Sequence, residues 1–229
     1  MRSPTTCACS PCFVERWREL TAPIGTRHLR SMRHLLVAAL VSVPASSLAA
    51  QAGIQLTAGV TSSGVLVTDG VLREKLQPAI APTIGLVAAI PTGKGPFRAL
   101  VGVHVSRSQL RATDTDFQTS SDLGALTTID AVVMAEGPVA GALRWQFGGG
   151  AIFYRPSENS GVFVDGPVQR WLIGGGVSWR RLLSPRLRLL VNGRVDNHTF
   201  TTPTLLARNY AGTQGVIRLG IHVGVERAF

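Results

Sequence analysis

Beyond residue 12 the chain has no cysteine; its three, Cys7, Cys9 and Cys12, all stand at the extreme front. The remainder therefore holds no disulfide framework, and the C-x-C-x-x-C spacing has no fourth ligand group nearby, so no metal site is expected. Also missing is a membrane helix: the apolar run at 35–43 stops well short of the roughly 20 residues such a helix needs. No convincing amphipathic helix follows it. No nucleotide-binding loop, zinc spacing or calcium loop is present, since Asp114-Thr-Asp116 lacks the calcium loop's glycine and terminal Glu; no cofactor is expected. Acids are scarce, 13 against 23 Lys and Arg, and a basic excess raises nucleic acid as a partner. Here the charges stand singly along alternating segments rather than in a stripe, and no nucleic acid is expected.

The first 52 residues read as an address. Met32-Arg33-His34 is a short basic start, 35–43 an apolar core, and Pro44 to Ala52 a small-residue cleavage region, the three parts of a secretory signal peptide. Cleavage after Ala50 or Ala52 satisfies the small-residue rule, with Ala52 preferred. Residues 1–31 stand ahead of a complete signal and are read as an extended or mis-assigned leader, with Met32 as the initiator. From residue 53 onward, 17 bases and 11 acids leave a net charge of +6.

The final segment is the most informative. From Ile217 to Val225 every odd position is large and aliphatic, while the even ones are Arg218, Gly220, His222 and Gly224, with Glu226 next; the last residue is Phe229. Period-two alternation of this length predicts a strand with two unlike faces, about as long as one crossing a bilayer at a tilt. Eight such stretches are predicted, at 54–61, 79–90, 97–111, 125–136, 140–154, 169–182, 187–199 and 214–229. The connections alternate long, short, long. The short ones carry turn chemistry at Pro91–Pro96, Gly137-Pro138 and Ser184-Pro185. Outer-membrane barrels segregate loop lengths by end in this way, and a soluble up-and-down barrel has no reason to.

One face of the stretches carries Val101, Val103, Val105, Trp145, Phe147, Phe153, Trp171, Ile173 and Val177. The other carries Arg98, His104, Asp130, Glu136, Arg144, Arg170, Arg180, Arg188, Arg194, Asp196, Arg218, His222 and Glu226. Trp171 and Trp179 lie eight residues apart, as do Trp145 and Phe153. That spacing is about 27 Å of strand, or about 20 Å along the membrane normal at a tilt of about 40°, the separation of two aromatic girdles. The polar face is also rich in glycine, as the narrow interior of an eight-stranded barrel requires beside long arginines. The apolar face is therefore expected outside.

Alternating Gly-rich strands, a signal, alternating short turns and long loops and the terminal Phe229 resemble the small eight-stranded outer-membrane barrels of the OmpA or OmpX type, over all of 53–229. The resemblance implies an all-β fold, an eight-stranded antiparallel up-and-down transmembrane β-barrel in the bacterial outer membrane. It further implies a monomer that meets outer-membrane lipids and lipopolysaccharide, and recognition by the barrel assembly machinery through Ile221, Val223, Val225 and Phe229. Arg227, on the nominally apolar face, and Pro82, inside the second strand, depart from the family pattern.

The arginines and carboxylates of the inner face are expected to form an ion-pair network that plugs the lumen, because buried charges must be paired. Glu136 with Arg144 across the Gly137-Pro138 turn, and Asp196 or Glu226 with an arginine of the last two strands, are the pairs to look for. An anion-permeable channel is the alternative use of those arginines. His104-Val105-Ser106 resembles the His-x-Ser of outer-membrane lipid A deacylases, with Asp130 the nearest orienting acid, so an esterase is a second alternative. The expected role is structural or interactive, through the long loops, without catalysis.

Overall fold

The computed structural model describes residues 52–229 apart from 70–73, 94, 115, 118, 160 and 208–213. The expectations for the signal peptide, the leader and its three cysteines lie outside the described residues. The described residues hold ten strands: β1 (Gly53–Ser63), β2 (Val67–Asp69), β3 (Glu74–Pro78), β4 (Ala81–Pro91), β5 (Arg98–Asp114), β6 (Ser120–Ala140), β7 (Leu143–Pro156), β8 (Val168–Ser184), β9 (Leu187–Phe200) and β10 (Gln214–Ala228). Among the described residues, a 3₁₀ turn, Gly161–Phe163, and a one-turn helix, α1 (Pro203–Ala207), sit in the connections.

Eight strands close a ring in which each pairs antiparallel with its neighbours in the order β1, β4, β5, β6, β7, β8, β9, β10. The last seam joins β10 back to β1, from Gly53↔Ala228 to Ser63↔Arg218. Closure leaves the wall without an open edge, so every strand finds both partners, as a barrel surrounded by lipid must. Side chains alternate across that wall, and the apolar set lies outside. Leu56, Ile84, Phe147, Trp171, Ile173, Leu219, Ile221 and Val223 are all exposed, while Arg218, Glu136 and Glu226 are almost completely enclosed. That is the inverse of a soluble barrel.

Three details differ from the sequence reading. The connection expected at 62–78 contains a hairpin, β2 with β3, and β3 pairs onto β5 beyond the end of β4. The connection expected at 112–124 is mostly wall: β5 and β6 stay paired out to Thr113↔Ser120. The tip is turned by Asp114, whose Oδ1 accepts the N–H groups of Asp116 (2.8 Å) and Phe117 (3.1 Å). The polar residues that read as loop here form strand because their neighbours supply backbone partners. Finally, the turn expected at Gly137-Pro138 lies at Gly141-Ala142, where Gly141 supplies the positive φ of 53° that a two-residue hairpin demands. Pro138, without an N–H, sits beside an irregularity in the β6–β7 ladder. Pro82 faces outward where the β4–β5 ladder has not yet begun; that ladder starts at Thr83↔Ser106, so the missing N–H costs no bond to β5.

Candidate functional site

Alternation carries every second residue of eight strands into a narrow lumen, where the side chains form layers. At the short-turn end two carboxylates collect the charges. Glu136 (β6) accepts from Arg98 at 3.0 Å, from Arg180 and from Gln146 at 3.2 Å. Glu226 (β10) accepts from Arg98 at 2.9 Å, Arg188 at 2.8 Å, Arg180 at 3.3 Å and Gln55 at 2.9 Å. Side chains from several strands are thereby joined to two carboxyl groups, and each oxygen of both acids is engaged. Such pairing offsets the desolvation cost of the buried charge.

Arg144 stands apart. Instead of meeting Glu136 across a hairpin, it donates to the Pro96 carbonyl at 3.2 Å: with the turn moved to Gly141-Ala142, Arg144 pairs in register with Pro138 and Gln146 takes the place opposite Glu136. Arg170 also lies outside the ion pairs. It donates to the backbone carbonyls of Gln169 (2.9 Å) and Thr201.

Midway along the lumen Arg218 binds Asp130 at 2.7 Å, and Arg194 binds Asp196 at 2.7 Å. His104 and His222 face each other with ring centroids 5.8 Å apart, and Arg194 Nη1 lies 3.5 Å from His104 Nδ1. Glycine makes room for these groups: a methyl group at Gly85 would overlap the His104 ring, and one at Gly174 the Asp196 carboxylate. A cavity of about 10 Å³ lined by Thr61, Thr83, His104 and His222 is the size of one water.

This layer also holds the His-x-Ser pair. His104 and Ser106 are both buried on the lumen face, but Ser106 Oγ lies 2.5 Å from Thr128 Oγ1 and Asp130 is taken by Arg218. A serine nucleophile needs a base within hydrogen-bond reach; among the described residues the hydroxyl's hydrogen bond is to a threonine instead.

Toward the long loops the lumen turns apolar, which the sequence reading missed. Tyr154, Phe163 and Phe200 pack edge to face, with centroids 5.3 Å (Tyr154–Phe200) and 5.7 Å (Phe163–Phe200) apart. Leu66, Leu126, Leu205 and Val216 complete this cap. Tyr154 keeps its hydroxyl 2.5 Å from His198 Nε2, the polar link to the layer below. The signal was present: at Ala151-Ile-Phe-Tyr154 and Trp171-Leu-Ile173 alternation fails because both faces become apolar.

On the outer face, Trp145 lies near Trp179 and Phe153 near Trp171, since β7 and β8 pair Leu143 with Trp179 and Ala151 with Trp171. These four aromatics thus occupy two levels. Phe229 donates its N–H to Ala52 at 2.9 Å, and the Arg227 guanidinium stacks 5.8 Å from the Phe229 ring, which brings that charge to the rim. Ile221, Val223 and Val225 project outward from β10.

No protein-family model and no curated protein matches the chain. Solved structures do. The outer membrane protein OprG from Pseudomonas aeruginosa aligns at a TM-score of 0.50 with 12% identity, covering 80% of this chain and 97% of that one. Neisserial surface protein A aligns at 0.47 with 12% identity, covering 78% and 97%. A major outer membrane protein from Thermus thermophilus aligns at 0.46 with 15% identity, covering 78% and 99%. At 12% identity the OprG likeness speaks to fold alone, and it agrees with the closed ring. In fold the chain is an eight-stranded antiparallel transmembrane β-barrel, similar to that of OprG.

Proposed function

We propose that this barrel resides in the bacterial outer membrane and serves a structural or surface-interaction role through its long loops, without catalysis. The observation that carries the reading is the filled lumen. An ion-pair layer, a polar layer and an aromatic cap follow one another along the axis, and residues in all three, such as Glu136, Arg218 and Phe200, are at most 2% exposed. A filled lumen offers no path to a solute and no route for a substrate to Ser106. The loops and the outer wall are left as the working surfaces, and loops on a rigid scaffold are where binding residues concentrate. The partners proposed are outer-membrane lipids and lipopolysaccharide, with the barrel assembly machinery engaging the outward face of β10 during insertion. The protomer is proposed to act as a monomer.

The absence of cysteine after residue 12 makes the test clean. With Cys7, Cys9 and Cys12 replaced by serine, single cysteines are placed at Phe117, an exposed long-loop tip, and at Ala142, in a short turn. A polymer-linked maleimide too large for porins should label F117C in intact cells and A142C only after the outer membrane is permeabilised. Recovery of the protein in the soluble fraction, or the opposite labelling pattern, would refute the reading.

A further inference from the structure

Positive charge gathers at one end of the barrel. The middle layer pairs Arg194 and Arg218 with Asp196 and Asp130. Among the described residues the short-turn end holds seven bases, Arg98, Arg144, Arg180, Arg181, Arg186, Arg188 and Arg227, against Glu136 and Glu226 alone.

That end is also concave. A cavity of about 550 Å³ opens between the 92–97 turn and the 141–142 turn, and its lining includes Arg98, Arg144, Arg180 and Arg188. Neither glutamate lines it. Glu136 and Glu226 are 0% and 1% exposed, sealed behind the guanidinium groups they bind, so the surface presented to the cavity is positive. The two acids have no capacity left, because their oxygens already accept from three arginines and two glutamines. Three arginines around two carboxylates leave one positive charge, and Arg144, bonded to a neutral carbonyl, adds a second. Arg180, 8% exposed, also keeps a buried Nε without a hydrogen-bond partner.

We infer that this mouth is a binding site for a phosphate-bearing anion. Two uncompensated charges match the dianion of a phosphomonoester. The planar guanidinium fork fits phosphate oxygens in pairs, and low-dielectric walls focus the field of a charged cleft onto its ligand. The volume is that of a small-molecule site. The phosphate could arrive on a soluble metabolite or on a lipid headgroup at the rim, where Arg181, Arg186 and Arg227 stand. The proposed membrane orientation decides only which compartment the mouth faces; binding in detergent does not depend on it.

The test is calorimetric titration of the full chain in non-ionic detergent and phosphate-free buffer. One arm uses inorganic phosphate, the other mixed micelles containing phosphatidic acid, whose headgroup is a phosphomonoester. Saturable binding in either arm is expected, and it should weaken about tenfold in an Arg144→Gln, Arg188→Gln double variant, the loss of charge-assisted bonds to one anion. Arg155→Gln, on the long-loop side, should bind as the unaltered chain does. Binding of phosphate alone assigns a soluble ligand, and binding of the lipid alone assigns a headgroup. No saturable binding in either arm, or equal binding by the double variant in its unboiled, fast-migrating form, overturns the site. Either failure would leave the outer-membrane reading standing, since labelling tests that separately.

Discussion

Arg98 on β5 and Glu226 on β10 are bonded at 2.9 Å although two further wall strands, β1 and β4, lie between theirs. The bond crosses the lumen and ties the two sides of the wall at the short-turn end.

Glu226→Ala should be the most damaging single change in the lumen. It leaves Arg98, Arg188 and Arg180 short of a shared acid in an enclosed layer, and breaking a buried pair costs about 3–5 kcal/mol. The midpoint of urea unfolding in lipid vesicles, followed by tryptophan fluorescence, should fall accordingly. Glu158→Ala, in a long loop, should leave it in place.

Two glycines of the wall should respond in opposite ways to the same methyl group. At Gly150 a Cβ would overlap the Ala131 carbonyl oxygen, whereas at Gly193 nothing lies within 4 Å of it. Gly150→Ala should cost about 1–3 kcal/mol, as overpacking does, and slow the appearance of the fast-migrating folded band on an unboiled gel. Gly193→Ala should match the unaltered protein.

Planar bilayers should show no steady conductance. Phe200→Ala thins the aromatic cap but leaves Arg218–Asp130 and the glutamate cluster beneath it, so it too should stay closed. Current through the unaltered chain that changed with Arg194→Gln would favour the channel.

Ser106→Ala should remove only the bond to Thr128, at a cost of about 1 kcal/mol. Incubation with an acylated lipid A substrate, followed by mass analysis, should show no release of fatty acid that depends on Ser106. Release by the unaltered protein and none by S106A would make the esterase reading the better one.

Much of the fold was legible because alternation is a local property. Ile217 to Val225 declared a two-faced strand, and the sorting of arginine from valine declared which face met lipid. Partners on the last two strands were legible, since Asp196 meets Arg194 and Glu226 meets Arg188 as expected, but partners across the lumen were not, because the ring sets them. Arg98 meets Glu226 only once β10 has returned to β1, and no spacing along the chain encodes that contact. Arg144 was misassigned because Gly137-Pro138 has turn chemistry, yet the chain turns four residues later, where Gly141 provides positive φ. The β2–β3 hairpin was hidden for a related reason: Lys75 and Gln77 do not look like strand until β5 stands beside them. The aromatic cap was written in Ile152 and Tyr154, where the polar face stops being polar.

The seam between β10 and β1 also sets the order of events in synthesis. β10 is the last wall strand to be made, and it brings Arg218, His222 and Glu226 together. Until it docks, Arg98, Arg180 and Arg188 lack the acid they share, and Asp130 lacks its only ion-pair partner among the described residues. An unfinished barrel is thus both open at an edge and electrically unbalanced inside. Closing the wall and pairing these buried charges are therefore one event.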